Sequence, residues 1–142
     1  MSSFKAFDIA GSGMAAQSVR LNTTASNLAN AESVSGDKAN VYKPRHPIFQ
    51  AVKASLSTNP TDPQANAAVK VTGIYESQAP AVARYEPGNP LADGNGYVYA
   101  PSVNVVEEMV NMISASRSYQ NNVEVMNTSK DLLLATLRLG QG

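Results

Sequence analysis

The sequence contains no cysteine and no tryptophan. The first absence removes disulfides, thiolate metal sites and a thiol nucleophile together, and leaves the redox compartment undetermined. An excess of one charge sign is missing too. Lys+Arg and Asp+Glu number 11 each, for a formal net charge of zero, so no bulk attraction to nucleic acid or anionic lipid follows. The basic residues are scattered and not interleaved with aromatics, unlike those of a nucleic-acid surface. Long apolar runs are also lacking, and no segment approaches the roughly 18 residues of a membrane span. The opening stretch Met1-Ser2-Ser3-Phe4-Lys5-Ala6-Phe7-Asp8 has no basic segment followed by an unbroken apolar core, so it does not read as a cleaved signal peptide. Export, if it occurs, needs a route without one.

What is present divides by pattern into residues 1–32, 33–103 and 104–142. Apolar periodicity is confined to the two ends. Seven of the eight prolines lie between Pro44 and Pro90, and Pro101 stands just before the last region, so helix is disfavoured through most of the middle. Near the amino end, Phe7, Met14, Leu21 and Leu28 recur every seven residues, with Gly11, Ser18 and Ala25 four after each of the first three. This is a helical seam of alternating large and small side chains, into which a partner helix can approach closely.

The carboxyl region opens with Asn104 as an N-cap and Glu107 three residues on, in the manner of a capping box, and closes with Arg138 and Gly140. Between them run two heptad rows: Val105, Met112, Tyr119, Met126 and Leu133, and Met109, Ser116, Val123, Lys130 and Leu137. The middle carries weaker strand signals. Val69 and Val71 alternate with polar neighbours, and Tyr97-Val98-Tyr99 follows the turn-forming Asp93-Gly94-Asn95-Gly96. A small hairpin or two is expected there, with loops over residues 33–40 and 57–68. The fold class expected is mainly α: long N- and C-terminal helices in an elongated, coiled-coil-like hairpin, with a small β-containing middle. Two helices and little else enclose a thin core, so full use of both seams requires neighbouring chains.

The chemical motifs are weak. Gly11-Ser12-Gly13-Met14-Ala15-Ala16, with Glu32 further on, matches the spacing of a dinucleotide fingerprint, but the heptad row passes through the glycines and no strand precedes them. A calcium-loop template over residues 89–100 places Leu91 and Ala100 where oxygen ligands belong. His46, the only histidine, sits between Pro44 and Pro47 with no partner group and reads as a loop residue. Glu107 and Glu108 are expected from the helix dipole alone. No catalytic residue, cofactor or metal is assigned. Arg20, Asn22, Asn27 and Asn30 on the first helix, and Arg117, Asn121, Asn122 and Asn127 on the second, are candidates to set register by interhelical hydrogen bonds, with simple solvation the alternative; asparagine is a poor helix former and not an economical surface filler.

Ser12-Gly13-Met14-Ala15-Ala16-Gln17 through Arg20-Leu21-Asn22, then Ala25-Ser26-Asn27-Leu28-Ala29-Asn30-Ala31, resembles the amino-terminal signature of bacterial flagellar rod and hook proteins. Tyr85-Glu86-Pro87-Gly88-Asn89-Pro90, Gly96-Tyr97-Val98 and the run from Glu107 to Val123 resemble the proximal-rod branch of that family; Asn89 and Ser102 depart from its pattern. The resemblance spans nearly the whole chain. It implies a structural subunit of a hollow shaft that transmits torque across the periplasm, exported unfolded by the flagellar type III apparatus. It also implies as partners other copies of itself, related proximal rod proteins, the rod–ring adaptor FliE and distal rod proteins. The expected assembly residues are Phe7, Gly11, Met14, Ser18, Leu21, Ala25, Asn27, Leu28 and Asn30 on the first helix. On the second they are Met109, Met112, Tyr119, Val123, Met126 and Leu133. Two other classes fit the residues less well: a dinucleotide-binding enzyme using Gly11, Gly13 and Glu32, and a soluble coiled-coil adaptor or chaperone.

Overall fold

The computed structural model describes residues 3–53 and 67–140. Two helices dominate it. Helix α1 spans Ser3–Ala29 and α2 spans Val105–Gly140. At about 1.5 Å per residue, the 36 residues of α2 extend ~54 Å. The amino end of α2 is fixed as the sequence suggests, because Asn104 Oδ1 accepts the backbone N–H groups of Val106 and Glu107 at 3.1 and 3.3 Å. The helices run antiparallel. Gly11 lies beside Met126, Gly13 beside Asn122, and Arg20 donates to Asn111 Oδ1 at 2.9 Å, so contacts ascend one helix as they descend the other.

Two antiparallel ribbons fill the middle. Strand β1 (Arg45–Lys53) pairs with β2 (Ala67–Glu76), with a register shift between Ile48 and Phe49, and β3 (Val82–Tyr85) pairs with β4 (Tyr97–Ala100). Val69 and Val71 therefore sit in β2, and residues 93–96 form the turn into β4. The sequence reading needs correction at His46. It lies within β1 opposite Tyr75, not in a loop, and the flanking Pro47 is accommodated opposite Ile74 in a ribbon of only two strands. The stretch 33–40 is likewise structured. Ser35 bridges Tyr99 through both backbone bonds, and Asp37 caps a short 3₁₀ turn at Lys38–Asn40. Most of the expected loop at 57–68 lies outside the described residues, and Ala67 and Ala68 belong to β2.

The β1–β2 ribbon is attached to α1 by specific polar contacts. Asn27 is fully buried. Its Nδ2 donates to Arg45 O at 2.9 Å, while its Oδ1 accepts from Arg45 N and from the Tyr42 hydroxyl, each at 2.8 Å. One amide side chain thus takes the place of a neighbouring strand at the start of β1. At the far end of the ribbon, Val69 N donates to Ser12 Oγ at 3.1 Å. Asp93 organises the second ribbon. It accepts the N–H groups of Asn95 and Tyr97 and the Tyr99 hydroxyl, and the Tyr97 bond chiefly holds its carboxyl below the usual aspartate value.

Among the described residues the buried apolar set is made mostly of small side chains, including Ala10, Ala16, Ala31, Ala100 and Ala115, with Val41 and Val98. Isolated stability is therefore modest for a chain of this size.

Candidate assembly surface

The row of α2 that turns inward is not either of the apolar rows. Its buried residues are Glu108, Ala115 and Ser129, and Asn122, in the same seven-residue register, lies against Gly13. A Cβ on Gly13 would come within 2.9 Å of Asn122 Nδ2, whereas one on Gly11 would meet nothing closer than Met126 Cε at 3.9 Å. The tight approach between the helices thus falls at Gly13, outside the seven-residue row of small residues, and not at Gly11 within it. Ser18 and Ala25 are exposed. The large members of the α1 seam, Phe7, Met14, Leu21 and Leu28, are half-buried, as are Gly11 and Asn30. On α2 Met112, Val123, Met126 and Leu133 are half-buried, while Met109 and Tyr119 are exposed.

The asparagines also differ from expectation within the chain. Asn27 bonds to a strand and to Tyr42, and Asn30 Nδ2 bonds back to Ser26 O; of the polar candidates Arg20 makes an interhelical bond, to Asn111. Glu108 was read as an ordinary first-turn acid. It is in fact only 5% exposed, because it shares the inward row with Ala115. The signal available in the sequence was the seven-residue recurrence of small and polar residues, obscured by more apolar rows beside it.

Outward-facing apolar side chains are abundant on α2. Val106, Met109, Val110 and Ile113, at helical spacing i, i+3, i+4 and i+7, form one exposed stripe, and Val125, Leu132 and Leu139 form another at intervals of seven. Val110 is 61% and Leu132 59% exposed. Contiguous apolar surface of this kind marks an interaction face. The glycines of the supposed nucleotide motif lie in the interior of α1, and among the described residues no strand precedes them, which removes the geometry that a dinucleotide needs. Among the described residues no group of three or more metal-ligating side chains is found, and no helix is long and apolar enough to cross a membrane.

Residues 7–36 match the family model for the flagella basal body rod protein, and residues 95–139 match that for the C-terminal region of flagellar basal body rod FlgEFG proteins. These segments include most of α1 and α2. The chain is 57% identical over 135 residues to the flagellar basal-body rod protein FlgC of Salmonella typhimurium, covering 95% of this chain and 96% of that one. The chain belongs to the FlgC family. The FlgC of Yersinia enterocolitica is 51% identical, and that of Buchnera aphidicola from Baizongia pistaciae 33%, each over 99% of this chain and all of the relative. FlgC proteins are structural, non-enzymatic components of the flagellar basal-body rod, and this chain is such a subunit. Its exposed helical stripes therefore lie on a molecule whose role is assembly with other rod components.

Proposed function

We propose that α1 and α2 form the rod-core portion of each subunit as a coiled-coil-like hairpin that stacks on the helices of adjacent subunits. The observation that carries this reading is the exposed stripe Val106, Met109, Val110 and Ile113 on a helix whose inward row is small and polar. Each aliphatic side chain fully buried by a neighbour contributes roughly 1.5–3 kcal/mol, so a few such contacts hold a subunit in place. The sequence-derived set Phe7, Gly11, Met14, Ser18, Leu21, Ala25, Asn27, Leu28, Asn30, Met109, Met112, Tyr119, Val123, Met126 and Leu133 supplies the remaining core contacts, within and between subunits. Repetition of a heterologous contact that does not close generates a hollow helical shaft.

In this reading residues 1–32 and 104–142 build the core and residues 33–103 form an outer elaboration. The shaft transmits torque across the periplasm. Its neighbours are other copies of the chain, related proximal rod proteins, the adaptor FliE and distal rod proteins, and the subunit reaches them unfolded through the flagellar type III apparatus without a cleaved signal.

The test is a pair of substitution classes scored for export, rod assembly and swimming. Leu21→Asp and Met126→Asp should abolish assembly, but both residues are half-buried within the chain. Val110→Asp and Leu132→Asp place the charge on outward positions and should leave the subunit folded and exported while blocking assembly. Normal swimming by all four variants would sink the proposal.

A further inference from the structure

Around the amino end of α2 the chain forms an open cavity of about 650 Å³, whose lining includes Glu32, His46, Arg84, Val106, Glu107 and Glu108. Arg84 and Glu32 neutralise each other through a 3.2 Å ion pair. Glu107 and Glu108 leave the cavity with an excess of negative charge. Glu108 is unusual among these groups, being 95% removed from solvent by its 5% exposure, with an Oε2 that is buried and accepts no hydrogen bond. The N-cap does not serve it, since Asn104 Oδ1 takes Val106 and Glu107, and the Glu108 N–H is satisfied by Asn104 O. A buried carboxylate oxygen without a donor is unfavourable unless a cation or hydrogen-bond donor is brought to it. The positive end of the α2 dipole offsets only part of that cost.

The lip of the cavity defines what kind of donor fits. Val105 and Val106 line it, and the exposed Met109 and Val110 continue the same surface outward. A cationic side chain flanked by aliphatic residues matches acid within and hydrocarbon around the mouth. The carboxyl end of α2 is itself such a segment, with Arg138 between the exposed Leu137 and Leu139.

We infer that the cavity is a socket for the basic, leucine-flanked carboxyl end of a helix from an adjacent axial subunit, whose Arg or Lys pairs with Glu108. This rests on the rod reading above and adds to it a specific joint. The contact would be head-to-tail, and it explains why an acid occupies an inward position otherwise held by small residues.

A photo-crosslinking amino acid at Val106, in cells that depend on this chain, tests the socket in assembled basal bodies. Irradiation should link it to a peptide of another axial subunit that contains Arg or Lys among leucines near a helix carboxyl end. A link to an acidic segment or a loop, or no link from chains that are incorporated, overturns the socket. In parallel, Glu108→Gln keeps the side-chain shape and should lower rod yield at least tenfold with export unchanged, while Glu108→Asp retains part of the yield. Wild-type yield from Glu108→Gln also overturns the inference. Failure of the unmodified chain to enter basal bodies would instead defeat the rod reading itself.

Discussion

Replacing Asn27 by alanine removes one small side chain and three hydrogen bonds at once. The lost partners are Arg45 N, Arg45 O and the Tyr42 hydroxyl. At about 1 kcal/mol net for each bond, with a further penalty for leaving buried backbone groups unpaired, the expected destabilisation is roughly 3–4 kcal/mol. Asn30→Ala is the matched control. Asn30, in the turn that follows α1, gives its Nδ2 only to Ser26 O, so alanine loses a single bond and the change should be about 1 kcal/mol or less. Guanidinium unfolding of the full chain, followed by tyrosine fluorescence and by hydrogen exchange at the Arg45 amide, measures both variants. Asn27→Ala should shift the transition markedly and lose protection at Arg45. Equal effects from the two alanines would show that the clamp does not hold the ribbon to α1. Asn27→Asp adds a sharper discrimination. It keeps the acceptor for Arg45 N and loses the donor to Arg45 O, which a protonated carboxyl restores, so its defect should be smaller in acid than at neutral pH.

Gly13→Ala and Gly11→Ala should act in opposite directions: the first gains about 1 kcal/mol of helix propensity but forces Asn122 aside at a cost of about 1–3, while the second gains the propensity without a clash. Thermal melts would show this, and Gly13→Ala should recover when combined with Asn122→Ala. The Asp93 turn should persist below the ordinary aspartate value of 3.8 and loosen only as pH falls through the depressed folded-state value, because the carboxylate that accepts three bonds must then be protonated. Asp93→Asn should remove that acid dependence by NMR. It should also bring the Tyr99 hydroxyl, raised above 10.0 first by burial and then by its bond to Asp93, part of the way down. Asn104→Ala should cost about 1 kcal/mol, seen as fraying of the first turn of α2, since two N–H groups lose their cap.

The two helices and the amino end of α2 were legible because their signals are local: heptad spacing and an Asn cap are read within a few residues. The turn at residues 93–96 and the strand after it were legible for the same reason. Strand β1 was not, since Pro44 and Pro47 suggest a loop and only pairing with distant β2, together with the Asn27 clamp, holds those residues extended. The inward face of α2 was not legible, for a different reason. Hydrophobic periodicity identifies the apolar faces of a helix but does not say which partner covers them. Here Glu108, Ala115 and Ser129 turn inward while Val106, Val110 and Leu132 remain exposed. Gly13 and Asn122 fit each other by shape, a property of a pair that neither residue shows alone.

The small and polar row between the helices has a consequence for the subunit's life history. In the assembly proposed above, a chain that reserves its exposed aliphatic groups for neighbours is held less firmly by itself than in company. Under the export route proposed above, such a chain needs little work to be drawn out as a thread. Its tightest fit then lies at the destination, so firm closure of the hairpin and arrival in the shaft become a single event.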